Sequence, residues 1–175
     1  AGGRAVGVSG GDGGLISARP RDPALGFVGD VAAVDPTVVQ RLIDDEFIPV
    51  DATIGVDDHG RSYNINADTV AAEVAVALGA EKLVYLTDIE GLRRDVDDPS
   101  SLIRAATPSE LDELIADGSI AGGMIPKVAS CNDAVRRGVG AAHILDGRIA
   151  HVLLLELFTD TGVGTMITES TEESQ

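Results

Sequence analysis

The run KLVYLT, Lys82 to Thr87, restricts the fold more than any other stretch of the chain. It is a continuous apolar run with the length of a single strand. A strand without polar alternation is buried on both faces, which is the habit of parallel sheets covered by helices. The flanks agree. Ala67 to Leu78 reads as a helix closed by Gly79 at its C-cap. Downstream, Thr107 and Glu110 form a capping-box pattern around Pro108 and open a helix that stops near Gly118. Met124, Val128, Cys131 and Val135 then recur at helical spacing. AAHIL reads as a second strand, HVLLLELF as a helix and GTMIT as a last strand. Strands alternating with helices define an α/β sandwich with a mainly parallel central sheet.

The first part of the chain is richer in turns. Val6–Gly10 and Leu15–Arg19 flank GGDGG and read as a hairpin, and GFVGDVAAVD gives another extended piece. Asp35 is a candidate N-cap with Pro36 at N1, and the helix it opens is expected to run to about Glu46. FIPVDATIGV is strand-like, and DDHG turns a second hairpin into RSYNIN. The end of the chain, ESTEESQ, is acidic and is expected to be disordered.

Composition narrows the function classes. Apolar residues make up 44% of the 175, enough for a genuine core, but only five are aromatic, so that core is built from Val, Ile, Leu and Ala. The formal charge of −16 opposes nucleic acid or an anionic membrane surface as a partner. Cys131 is the only cysteine, which excludes a disulfide framework and a cysteine-based zinc site, as suits a cytoplasmic protein. The three histidines, His59, His143 and His151, have no metal-ligand spacing, and no nucleophile–base arrangement is evident.

Three short segments carry candidate chemistry. In SYNINAD, Asn64 and Asn66 fall on alternate residues of an extended entry and share one face, and Asp68 follows in the first turn of a helix. Taken singly, Asn66 is explained as a helix cap and Asp68 as an acid that suits the helix dipole. Taken together, two amides beside a helix start, where strands of an α/β sheet end, point to a polar ligand. In AGGMIPKV, glycines before a helix let backbone N–H groups approach an anion, and Lys127, one turn in, can reach a phosphate. This segment is neither a Walker A motif nor GxGxxG, and most helix lysines simply face water. In YLTDIEGL, Thr87 and Asp88 stand at the C-terminal end of the buried strand, which is the usual ligand face or merely a strand-ending turn.

Together YNINADTVAAEVAVALGAEKLVYLTDIEGL, IAGGMIPKV, AAHILDGR and LLLELFTDTGVGTMI resemble the acetylglutamate kinases of the amino acid kinase family, in order and spacing from about Ala5 to Ile167. The resemblance implies a three-layer αβα sandwich and transfer of the γ-phosphoryl group of ATP to the side-chain carboxylate of N-acetyl-L-glutamate, a step of arginine biosynthesis. It implies acetylglutamate contacts at Asn64 and Asn66, an organising role for Asp68 and transition-state stabilisation by Lys127. Thr87, Asp88, Gly123 and Met124 are implied in the nucleotide pocket. ATP enters with Mg²⁺ as substrate, and no tightly bound cofactor is implied. His143, Glu156 and Gly162 match positions of an arginine effector site.

The resemblance also implies that residues 1–50 are the remnant of an acceptor-binding lobe. Residues 51–168 form the nucleotide-binding lobe with its acceptor-contacting Asn motif, and 169–175 form an acidic tail. The family's opening lysine-bearing strand and glycine-rich loops have no counterpart after Ala1. The chain is therefore expected to be a C-terminal portion of the kinase, inactive alone, whose full-length form is a homo-oligomer. The rival readings are a kinase for aminoadipate or glutamate linked to an acidic carrier protein, a non-catalytic regulatory module with the same fold, and a generic nucleotide-binding domain.

Overall fold

The structure, a computed structural model, describes residues 2–95, 97–158 and 162–170. The chain divides into two compact units, Ala1–Leu78 and Gly79–Gln175. The division falls after Leu78, whereas the sequence places the lobe boundary at residue 50. The cause is the second hairpin, whose strands join the sheet of the first unit.

The first unit contains β1 (Arg4–Ser9), β2 (Ile16–Pro20), β3 (Gly29–Val34), α1 (Thr37–Asp44), β4 (Phe47–Ala52), β5 (Ile54–Val56), β6 (Ser62–Asn64) and α2 (Ala67–Leu78). The expected hairpin of the first two strands does not form. β1 instead pairs in parallel with β4, Val6 opposite Pro49 and Val8 opposite Asp51. β2 runs antiparallel to β3 and meets β5 in parallel at Ser17 and Val56. The turn between β1 and β2 does close: the Asp12 carboxylate accepts from the Ser9 N–H at 2.7 Å and the Ser9 hydroxyl at 2.9 Å. Glycines name a turn without naming the partner of the strand that leaves it. The DDHG hairpin forms as expected, with Ile54 opposite Asn64 and Val56 opposite Ser62. α1 starts one residue later than expected: Pro36, not Asp35, is the N-cap and caps nothing with its side chain. Asp35, one residue earlier, accepts from the Thr37 N–H at 3.0 Å, and the helix ends at Asp44, short of Glu46. Leu15, Ile16, Val39, Tyr63, Ile65 and Val70 form this unit's core.

The second unit contains β7 (Lys82–Thr87), β8 (Ala105–Ala106), α3 (Pro108–Ala116), α4 (Met124–Arg136), β9 (Ala141–Asp146), α5 (Val152–Phe158) and β10 (Thr165–Ile167). Its sheet has the order β7-β9-β10-β8, with β7–β9 and β10–β8 parallel and β10–β9 antiparallel. All six residues of β9 are buried, His143 and Asp146 included. β7, at one end of this sheet, is not buried on both faces as its apolar run suggests: Leu83 and Tyr85 are buried, while Leu86 is 54% exposed. The capping box is present in both directions: Thr107 Oγ1 accepts from the Glu110 N–H, and Glu110 Oε2 accepts from the Thr107 N–H at 2.7 Å. Val128, Cys131 and Val135 are buried on the inner face of α4, which packs on β9. Chain order and parallel pairing are those of an α/β sandwich of the three-layer αβα class. The expected disordered tail lies, from residue 171 onward, outside the described residues.

One carboxylate of the first unit is misplaced for stability. Both side-chain oxygens of Asp51 in β4 are shielded from water without a well-formed hydrogen bond. Burial raises its pKa above the ordinary carboxylate value, the backbone N–H of Ala52 offsets part of that rise, and the charge of Asp12 adds to it. The folded chain therefore holds that proton more tightly than the unfolded chain does. Stability from this group is complete at acid pH and is lost as pH rises through the folded pKa. Asp51→Val is expected to stabilise the protein by about 1–3 kcal/mol at pH 7, the usual penalty for an unsatisfied buried polar group. Urea unfolding of both proteins checks the sign: the gain shrinks at pH 4, and an equal gain at both pH values contradicts it.

Candidate functional site

The acceptor-side candidates lie in the first unit, at the junction of β6 and α2. Tyr63 and Ile65 point into the core, so Asn64 and Asn66 alternate outward and are exposed. Their fates differ. Asn66 Oδ1 accepts from the Thr69 N–H at 3.1 Å and caps α2. Asn64 is fixed through its backbone, its N–H donating to the Phe27 carbonyl at 2.8 Å, and its exposed side chain stands at the end of the hairpin. Asp68 stands in the first turn of α2, half-buried.

The nucleotide-side candidates lie in the second unit. A cavity of about 280 Å³ opens at the C-terminal ends of the paired parallel strands β7 and β9, where Thr87 and Asp146 are register partners. Its apolar wall includes Ile89, Leu92, Ile120 and Met124, and its polar groups include Asp88 and Arg148. Asp88 and Met124 line this cavity. Gly123 does not line the cavity; it is the residue before α4, and Gly122 beside it takes φ 62°. Thr87 has a structural job. Its hydroxyl accepts from the Ile89 N–H at 3.2 Å and lies within donor distance of the Ile89 and Leu145 carbonyls, tying the turn after β7 to β9. Lys127, in the first turn of α4, places its Nζ 5.1 Å from the centroid of the Tyr85 ring.

Arg148 is not singled out by the sequence analysis. It follows β9 in DGR, and the rule that ligands gather at the carboxyl ends of parallel strands could have flagged it as it flagged Asp88. Its Nε and guanidinium Nη2 both donate to the Asp146 carboxylate at 2.8 Å, and its backbone N–H donates there at 2.9 Å. That bidentate pairing holds the Asp146 carboxyl below its usual pKa and raises that of Arg148.

The three residues matched to an effector site come together in the second unit. His143 Nδ1 and Glu156 Oε1 are 2.8 Å apart, with the two side chains 3% and 6% exposed, so the pair is shielded from water. Glu156 Oε2 accepts from the Val163 N–H at 2.9 Å, and Gly162 lies beside the same carboxylate. His143 Nε2 is buried without a partner.

A cavity at parallel strand ends, beside a helix that begins after two glycines and carries a lysine in its first turn, is a geometry suited to phosphorylated ligands. The sequence signature of the amino acid kinase family matches residues 1–146, and the chain belongs to that family. It is 56% identical over 173 residues to an acetylglutamate kinase of Synechococcus sp. (strain RCC307), a match covering 98% of this chain and 58% of the relative. Among solved structures it resembles N-acetylglutamate synthase from Neisseria gonorrhoeae complexed with coenzyme A and N-acetyl-glutamate. The TM-score is 0.84 at 28% identity, over 97% of this chain and 38% of that one. The same synthase complexed with coenzyme A and L-arginine gives a TM-score of 0.81 at 28% identity, over 96% and 38%. The chain spans 58% of the length of the curated kinase relative.

Proposed function

We propose that the chain is a portion of an ATP-dependent kinase that phosphorylates the side-chain carboxylate of N-acetyl-L-glutamate, for arginine biosynthesis in the cytoplasm. The observation that carries this reading is the cavity at the ends of β7 and β9, with Asp88 and Met124 in its wall and Lys127 in the first turn of the adjoining α4. In this reading the second unit binds ATP as its Mg²⁺ complex, and Asn64 of the first unit contacts the acceptor. Asp68 organises the cationic groups, and the full-length enzyme is a homo-oligomer.

The chemistry suits the residues. The acceptor is a carboxylate, ionised at neutral pH, so no general base is needed to activate it. The obstacle is an anion approaching a polyanion, and it is met by positioning and by donors that take up charge on the transferring phosphoryl group. Lys127 and the N–H groups at the start of α4 are such donors. Mg²⁺ on the nucleotide supplies further positive charge.

Asn64→Ala tests the acceptor role in the full-length enzyme. The expected result is a fall of about tenfold to a hundredfold in kcat/KM for acetylglutamate, from the loss of one polar contact, with KM for ATP unchanged. Equal loss on both substrates contradicts the assignment. Activity on free acetylglutamate and not on a carrier-linked substrate separates this reading from the carrier-protein kinase; the −16 charge already disfavours an acidic carrier. Arginine binding at His143, Glu156 and Gly162 belongs to the same reading, supported by their proximity, and arginine titration of the enzyme is its test.

A further inference from the structure

Tyr85 belongs to the run that reads as plain core, yet the structure gives it two contacts with α4. It is 5% exposed and faces inward from β7. Its hydroxyl lies 3.1 Å from Ser130 Oγ, and the Lys127 ammonium sits over its ring, 5.1 Å from the centroid. Lys127 and Ser130 are three residues apart and so share one face of the helix. The ring is thereby fixed at its edge by one helix residue while its face supports another.

From this geometry we infer that Tyr85 is a positioning residue for Lys127, seating the ammonium by a cation–π contact so that its N–H donors are held ready for the phosphoryl group. The inference rests on the proposed role of Lys127 in transfer. A lysine has four rotatable side-chain bonds, and a donor that must be in place when charge develops gains from a seat that limits them. An aromatic face within about 6 Å attracts a cation without neutralising it, as a carboxylate would. The contact with the ring therefore seats the ammonium without itself cancelling the charge. Burial of the ring keeps it from turning away, and the Ser130 hydroxyl adds to this at its edge.

Two measurements test the seat. In the full-length enzyme, Tyr85→Leu is expected to lower kcat about tenfold, the scale of one cation–π contact, with KM for ATP and for acetylglutamate unchanged. Tyr85→Phe keeps the ring and stays within about twofold of wild type. The second measurement needs no activity. After reductive methylation of the full-length enzyme with ¹³C-formaldehyde, the methyl resonance of Lys127, assigned by its loss in Lys127→Arg, is expected upfield of that of Lys82, because it lies over the ring face. The upfield shift persists in Tyr85→Phe and vanishes in Tyr85→Leu. An unshifted Lys127 resonance in the wild-type chain overturns the inference even if Tyr85→Leu does not fold. So does a folded Tyr85→Leu enzyme with wild-type kcat. If Lys127→Ala abolishes transfer and Tyr85→Leu leaves it intact, only the seat is wrong; if Lys127→Ala leaves transfer intact, the functional reading itself fails.

Discussion

Lys127→Ala, in the full-length enzyme, is expected to lower kcat for acetylglutamate phosphorylation by about two to four orders of magnitude, the range set by removing a preorganised charge from a transition state. KM for ATP should change little, because the cavity wall of Ile89, Leu92 and Met124 remains to hold the nucleotide. The fold should also survive. Val128, Cys131 and Val135, not Lys127, bury the helix. A loss confined to kcat separates a kinase from a non-catalytic module of the same fold, which would tolerate the change. Steady-state kinetics with both substrates, together with thermal unfolding of the variant, measure each part.

Gly164→Ala is expected to destabilise the second unit by about 3 kcal/mol or more, the upper range of overpacking a core. A Cβ at Gly164 would stand 2.3 Å from the Ile144 carbonyl oxygen and 2.6 Å from Leu145 Cδ2. Ile144 belongs to β9, which is buried at every position and hydrogen-bonded on both sides, so its backbone has nowhere to move. Two residues earlier the outcome reverses. A Cβ at Gly162 would meet Glu156 at 3.7 Å, an ordinary contact, and Gly162→Ala should be near neutral for stability. Urea unfolding of the two variants compares them directly, and similar midpoints would contradict the close approach of Gly164 to β9.

The elements of the second unit can be read from the sequence because local signals and tertiary demands coincide there. β7 is an apolar run of strand length, AAHIL carries β9, and the capping box at Thr107 is self-contained; in the first unit, α2 likewise ends at Leu78 because Gly79 takes φ 60°. Strand pairing is less legible. GGDGG signals a turn, but nothing local says that β1 seeks β4 across forty residues. The candidate site shows the same split. Asp88 and Met124 are legible as cavity-lining positions because one ends a strand and the other starts a helix, while Arg148 escapes notice because nothing local pairs it with Asp146. Asn66 can be read both as a cap and as a ligand contact, and its bond to Thr69 shows the cap. The role of Tyr85 is hidden, since an apolar run gives no hint that one ring faces a lysine.

Trapping the product tests the proposed transfer at its chemical step. The full-length enzyme is incubated with ATP, Mg²⁺ and acetylglutamate in the presence of hydroxylamine, which converts an acyl phosphate to a hydroxamate. The expected result is acetylglutamyl hydroxamate formed in step with ADP, and loss of both with Lys127→Ala. ADP release without hydroxamate, or hydroxamate formation that does not depend on Lys127, would contradict it.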